Sequence, residues 1–565
     1  MLSITLLLSL SSGKPLVLSW KEDCLSTLSG EKVDKALSGV VDAVTKPSGS
    51  VLELMRTERS VKNLDHDKLK TKAKAIAVKL AGKRQQAGRR RLSAKEATTA
   101  ESRDGLLGAL MAATSVAGPS SEDADYMDSL VMDFVPESTG NPLLKALTAH
   151  IPCVRSVEEA PQYFLNRTVD HESREVSMED VPYDWRTAAA SFSDPEAPIQ
   201  WYMGSKNGRS PWNIGMNWLG AWKYMKDLPT PDPIDVVVVD SECEPMDSIR
   251  WTNYDCDTAG LDEDTDGLLD NCRGWDYVYN DNGTGLTDSS RSYHGTGVAG
   301  LIGSISNDRV GLVGACEHCR VHCLKIGTDG GRMLSSGAIF KAYDYILANS
   351  DRYRISNHSY GSYTYSQAEY EAVDRLRQSG HLFVTASGND GCELGHDRKC
   401  LVDGMWIAGS YPAMYDIDTI ISVGGTDSAG EVAWFSNTGV GVSHVYAPGE
   451  DIAMASYGLP GQASDVRFKS GTSFSSPLVA AAIANAWSLF PDFEAVHIRK
   501  AVIDSAPLHK IPSSSGNSGI LNAEWLIRTF QSGGIAPTPD DFSTPNSAST
   551  TTIVGVVAFI ASIIL

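Results

Sequence analysis

Positive charge is scarce in this chain. It holds 49 Lys and Arg against 70 Asp and Glu, a formal net charge of −21. That deficit argues against a general nucleic-acid binder, which needs basic surface for phosphates. Nothing basic precedes Lys14. The start, Leu2–Gly13, is apolar and then small, and it reads as a secretory signal ending near residue 19 but lacking the usual basic residues. The other apolar end, 553–565, is uncharged yet short of the roughly 20 residues that span a bilayer. Behind a Ser/Thr/Pro-rich stalk at 531–552 it suits a lipid-anchor signal, with Ser532-Gly533-Gly534 or Asn546-Ser547-Ala548 as the attachment triplet; a plain tail anchor is the alternative. Cysteine is nearly missing early: only Cys24 and Cys153 precede residue 240, and the other eight lie between Cys243 and Cys400. In an exported chain that set favours disulfides, with Cys392 and Cys400 the best pair around one short loop. Cys316-x-x-Cys319-x-x-x-Cys323, with His318 and His322 interleaved, keeps a metal site open as the lesser reading. No internal repeat is present, and 565 residues exceed one ordinary domain.

The basic residues that do occur are clustered. The stretch from Arg56 to Arg91 is strongly basic, so the rest is more acidic than the total suggests. Opposite charge in two parts of one chain points to docking between them, with a solvated basic helix as the alternative. Residues 14 to about 92 read as helical and basic, and 93–140, rich in Ser, Ala, Gly and acids, as a linker. The stretch His150–Leu165 is strand-like and closes a segment taken as 20–170. A second loose linker, 171–193, follows. From 194 to 530, strands and helices alternate. "IDVVVVD" (Ile234–Asp240) is short and apolar, as a central parallel strand should be. "GTGVAGLIGSI" reads as a small-residue helix, "HLFVTASGND" as strand then turn, "TIISVGGTD" as a buried strand and "SSPLVAAAIANAWSLF" as a buried helix. The pattern predicts an α/β fold in three layers around a doubly wound, mostly parallel sheet.

In such a sheet, chemistry collects at the C-terminal ends of the strands. Asp240 ends the first apolar strand. His294 opens a helix. Gly388 and Asn389 follow the strand at Leu382–Thr385. Ser473 starts the last long helix. Taken singly, each is an ordinary turn residue or helix cap. Together they supply a nucleophile, a base and an orienting acid. A serine hydroxyl needs an adjacent base, imidazole titrates near neutral pH, and a buried carboxylate fixes the tautomer. Backbone N–H groups at the helix start and the Asn389 amide suit a developing oxyanion.

The order Asp, His, Ser, with an oxyanion Asn, resembles the subtilisin-like serine peptidases. The resemblance runs through Val-Val-Asp240-Ser, His294-Gly-Thr-Gly-Val-Ala-Gly, Ser359-Tyr-Gly361, Gly388-Asn389, Tyr411-Pro-Ala, Phe435-Ser-Asn, Ala447-Pro-Gly, Gly471-Thr-Ser473-Phe-Ser-Ser-Pro477 and Gly519-Ile-Leu-Asn-Ala523. It covers roughly Asp194 to Phe530. Its style is similar to that of subtilases from unicellular parasites. The chain departs from the family pattern at Glu242, where a Gly is usual, at Gly297, where many relatives carry His, and at Ser387, where Ala is more usual. The resemblance implies that Asp240, His294 and Ser473 form a catalytic triad, that Asn389 serves the oxyanion, and that Ser359, Tyr360, Gly361 and Gly388 receive the substrate backbone by strand addition.

In "LDEDTDGLLDNC", Asp262, Asp264 and Asp266 alternate before Gly267. That is the first half of a calcium loop, continued by the Leu268 carbonyl and by Asp270 at the ninth position. Arg273 stands where an EF-hand has its Glu, so this is no EF-hand. Relatives hold Ca²⁺ in acidic loops here, and Asp308 lies in a second stretch similar to a family calcium loop. The resemblance also implies that the N-terminal segment is an inhibitory prosegment, with "VRSVEEAPQYFL" as its last strand and Arg89–Arg91 as a separate cleavage point. Asn166, Asn282 and Asn357 each begin a glycosylation triplet, although Asn357 follows a buried strand. The reading is a calcium-stabilised serine endopeptidase, made as a zymogen, secreted or held at the cell surface, acting on proteins or peptides. Its rivals are a non-cutting peptide-binding module and an enzyme that cuts only its own prosegment.

Overall fold

A computed structural model of the chain describes residues 181–205, 215–252, 260, 262–285, 293–327, 333–395, 398–456, 465–506 and 519–534. Before these it describes residues 162–165 and the backbone of the strands Leu6–Ser9, Leu16–Trp20, Glu53–Arg56 and Val154–Glu159. The basic stretch, the 93–140 linker, Asn166 and the apolar tail lie outside the described residues, and no helix within them is long and apolar enough to cross a membrane.

The core is one seven-stranded sheet. Its strands are β1 (Ile234–Asp240), β2 (Gly274–Asp276), β3 (Cys319–Lys325), β4 (Ile355–His358), β5 (Leu382–Ala386), β6 (Ile420–Thr426) and β7 (Val445–Pro448), in the order β7-β6-β5-β4-β1-β3-β2. Every pairing is parallel. A parallel strand is covered on both faces, and β1 shows how its sequence meets that demand. Val236 and Val238 join the core under α1 (His294–Gly303) and α4 (Thr472–Leu489). Val237 and Val239 join the opposite core under α2 (Ser336–Ala348) and α3 (Gln367–Gln378). A run of β-branched residues therefore fills both layers. The three-layer α/β expectation is met.

Helix α4 runs through the core. All its residues from Thr472 to Trp487 are buried, as an all-round apolar, small-residue sequence requires. The sheet changes direction between β1 and β4: the chain builds β2 and β3 on one side of β1, then crosses to the other. That switch point is where a doubly wound sheet leaves a crevice.

The structure differs from expectation in three places. The loose linker at 171–193 is ordered in its second half, with a helix at Tyr183–Ala189. Trp185 is fully buried and packs against Phe192 and Trp222, so this helix packs onto the body expected at 194–530. The region read as helical from residue 14 contains the strands Leu16–Trp20 and Glu53–Arg56. They pair antiparallel in a four-stranded sheet with Leu6–Ser9 and Val154–Glu159, and the alternation of Leu16, Leu18 and Trp20 carries the period of a strand. The metal reading of the central cysteines gives way to disulfides Cys316–Cys319 and Cys243–Cys323, while Cys392–Cys400 pair as expected.

Candidate active site

Three elements converge at the switch point. Asp240 is the last residue of β1 and continues the parity of Val236 and Val238, which aims it at the α1 and α4 layer. His294 is the first residue of α1. Helix α1 starts hard against the loop after Asp240: a Cβ on Gly295 would stand 1.8 Å from the Glu242 carbonyl oxygen, so only glycine allows the approach. The His294 Nδ1–H donates to Asp240 Oδ1 at 2.7 Å, and the two side chains are 2 % and 0 % exposed. The ring lies 5.5 Å from that of Phe474. Its Nε2 is buried with no hydrogen-bond partner.

Burial opposes a charge on His294, but the charge of Asp240, the hydrogen bond to it and the charge of Glu242 outweigh burial, so its pKa is raised. Glu242, the departure two residues after the aspartate, is itself fully buried, and the Ser241 hydroxyl bridges it to Asp240.

Ser473 is the second residue of α4 and fully buried. Its Oγ donates to the Ser359 carbonyl at 3.3 Å rather than to His294. Pro477 accounts for the return contact. Without an N–H it cannot bond the carbonyl four residues back, which is that of Ser473. The Ser359 hydroxyl donates to that carbonyl instead, at 2.9 Å. The proline thus ties the start of α4 to the Ser359–Gly361 segment.

Asn389 is set by Thr472. Both the backbone N–H and the hydroxyl of Thr472 donate to Asn389 Oδ1, at 2.8 and 2.7 Å, which consumes the amide oxygen and fixes which way the amide nitrogen points. Thr472 Oγ1 in turn accepts from the Gly388 N–H at 3.2 Å. Gly388 has φ +107, and a Cβ there would meet Asn437 Nδ2 at 2.3 Å, so this turn requires glycine. Thr472 carried no role in the sequence reading, although it adjoins the serine.

Tyr360 and Gly361 pair antiparallel with Leu165 and Phe164. Phe164 and Tyr163 pair on the other side with Met333 and Leu334. A segment from the N-terminal part is therefore added as the middle strand of three, beside the residues expected to receive a peptide.

The acidic loop is a separate cluster. Asp262, Asp264 and Asp266 each bring an oxygen within 4.8 Å of the others. Burial and then neighbouring carboxylate charge raise the pKa values of Asp264 and Asp266, against hydrogen bonds that lower them. Arg352 pairs with Asp264, and the Tyr345 hydroxyl with Asp266. Three hard oxygen donors held together against their repulsion fit a divalent cation. The Leu268 N–H donates to Asp266. The Asp270 carboxylate turns to the Gly260 N–H at 2.9 Å, and Asp308 lies in another loop beside Asp194.

A buried acid and imidazole, a serine at a helix start and an oriented amide, all at the switch point of a parallel sheet, define the layout of a serine hydrolase. The model of the subtilase family matches residues 234–527, just over half of the chain, and the chain belongs to that family. Among curated proteins it is similar to the extracellular protease of Xanthomonas campestris pv. campestris, 28% identical over 323 residues, covering 54% of this chain and 50% of that protein. It is similar to subtilisin-like protease 1 of Plasmodium vivax, 27% identical over 278 residues, 47% of this chain and 42% of the other. Subtilisin DY of Bacillus licheniformis is 30% identical over 246 residues, 44% of this chain and 78% of that one. The chain thus spans half or less of the length of the first two.

Proposed function

We propose that this chain is a serine endopeptidase made as a zymogen, with Asp240, His294 and Ser473 as its triad. The buried 2.7 Å bond between Asp240 and His294, beside a serine at a helix start, is the observation that carries the reading. The Ser473 hydroxyl turns from the Ser359 carbonyl to His294 Nε2, gives up its proton there and attacks the peptide carbonyl. The Asn389 amide nitrogen and the backbone N–H at Ser473 take the oxyanion charge. His294 then protonates the leaving amine, and an acyl-enzyme remains. A water molecule, deprotonated by His294, releases the acid and returns the proton to Ser473. Ser359, Tyr360, Gly361 and Gly388 hold the substrate backbone.

The prosegment reading is supported by the strand Tyr163–Leu165, which lies where a substrate strand would add. Asp262, Asp264 and Asp266 would hold a calcium ion through hard oxygen donors, and its chemistry would be structural: its two positive charges would offset most of the charge of the three carboxylates and stiffen the loop before β2. Export is supported by the cysteine pairing and by relatives such as the extracellular protease.

Expression of the wild type and Ser473→Ala with calcium, read by gel and mass spectrometry, tests the proposal. The wild type should lose its N-terminal segment by a cut within a few residues after Leu165, and Ser473→Ala should stay whole. If both stay whole, and the wild type ignores a serine-directed fluorophosphonate, the protein is a peptide-binding module instead.

A further inference from the structure

Of the three Asn-x-Ser/Thr triplets, those of Asn282 and Asn357 lie among the described residues, and the fold treats them in opposite ways. Asn357 stands on β4, in the middle of the sheet, and is fully buried. Its Nδ2 donates to the Ser359 hydroxyl at 2.9 Å, so the amide and the hydroxyl of that triplet are spent on each other inside the core. The same hydroxyl donates to the Ser473 carbonyl and lies 3.1 Å from that of Ser476, which closes the space with α4. An interior packed to this density has no room for a sugar.

Asn282 lies in the loop between β2 and α1, and Asp281, Asn282 and Gly283 are all exposed. Groups other than the Asn282 side chain shape this loop. The Asp276 N–H donates to the Asp281 carbonyl at 2.7 Å, and the Gly283 N–H to Asp281 Oδ1 at 2.9 Å. The Asn282 amide itself reaches the Asp270 carbonyl from Nδ2 at 3.3 Å. That nitrogen carries two hydrogens, so replacing one by a sugar leaves the other for the carbonyl.

The third residue of this triplet points inward. Thr284 is 3 % exposed, its hydroxyl donates to the Cys243 carbonyl at 2.9 Å, and its own carbonyl accepts from the Cys243 N–H at 2.8 Å. Cys243 is in turn bonded to Cys323. The triplet is defined by that hydroxyl, and a transferase cannot reach it once the loop has closed on Cys243.

We propose that Asn282 carries an N-linked glycan, that Asn357 does not, and that the sugar is attached before the loop closes on Cys243. The donor class is an oligosaccharide held on a lipid pyrophosphate. Asn282 Nδ2 bonds to the anomeric carbon of the first sugar, the bond from that carbon to the pyrophosphate oxygen breaks, and the displaced amide proton goes to the released lipid pyrophosphate. The inference needs export into a compartment that holds this donor. It does not need the peptidase reading.

The full chain with Ser473→Ala, secreted from a eukaryotic cell, tests the site without self-cleavage. Peptide-N-glycosidase in heavy-oxygen water turns each glycosylated Asn into a labelled Asp, which peptide mass spectrometry locates. We expect the label at residue 282, none at residue 357, and loss of one glycan's mass in Asn282→Gln. An unlabelled Asn282 in the secreted chain overturns the site. A labelled residue 357 overturns the discrimination, and a chain that is not exported overturns the premise and the inference with it. Alkylation after a short radioactive pulse tests the order: glycosylated chains should be found with Cys243 still reactive. Sugar first appearing on chains whose Cys243 is already paired overturns it.

Discussion

Removing the Asn389 amide is the sharpest probe of the proposed oxyanion site. Loss of one preorganised donor costs about 10²–10³ in kcat, or about 2.7–4 kcal/mol. That scale is the one for subtilisin's own oxyanion asparagine. What the structure adds is the dependence on Thr472, which holds the amide oxygen with two bonds of 2.8 and 2.7 Å. Thr472→Val deletes one and keeps the backbone one, so the amide stays in place but is less firmly aimed. A fall in kcat of about tenfold is expected, as for one lost hydrogen bond of about 1.4 kcal/mol. KM should change little in either variant, since the donor acts on charge that develops later. The two effects share one route, so Asn389→Ala with Thr472→Val should be no slower than Asn389→Ala alone. The assay is steady-state cleavage of one peptide by all four proteins, with Tm recorded. Deleting the Thr472 hydroxyl also strips the Gly388 N–H of its acceptor, which costs about 1–3 kcal/mol in stability. An additive double variant, or Asn389→Ala at full speed, would refute the reasoning.

Glu242 gives a second test. The catalytic base must be neutral, and a raised His294 pKa moves the acid limb of kcat/KM to higher pH. Glu242→Gln removes one charge that raises it, so the limb should move to lower pH, and a pH–rate profile shows it. Calcium is a third: a chelator should lower Tm, by an amount worth about 2.7 kcal/mol if the ion is present at a hundred times its Kd. Asp264→Asn with Asp266→Asn should abolish the calcium-dependent shift without changing the position of the cut. Fourth, Cys392→Ser with Cys400→Ser opens a loop closed over a sequence separation of 8. Chain entropy puts that at about 2–3 kcal/mol, readable by denaturant titration.

Three of the seven strands could be read from the residues. The apolar strands β1, β5 and β6 and the helices α1 and α4 were legible because each carries one strong local signal, a β-branched or small-residue run between breaks. Strand β3 was not, since its cysteines and histidine masked its period and suggested ligands. The segment 181–193 looked loose because its anchor, Trp185, is a single residue whose partner Trp222 is far along the chain. Ser366-x-x-Glu369 carried the signature of a capped helix start, yet nothing local says that the Glu side chain turns inward to two tyrosines.

The residues alone supply the candidate groups: an acid, an imidazole, an amide and a hydroxyl at strand ends and helix starts, in an order that resembles one family. Those choices are local, because turn chemistry and burial period act over a few residues. Which of these groups touch is set by the fold. Asp240 meets His294 across 54 positions and Ser359 meets Ser473 across 114. The partner of Cys243 is fixed in the same way, by the packing of helices on a sheet rather than by any short stretch of residues.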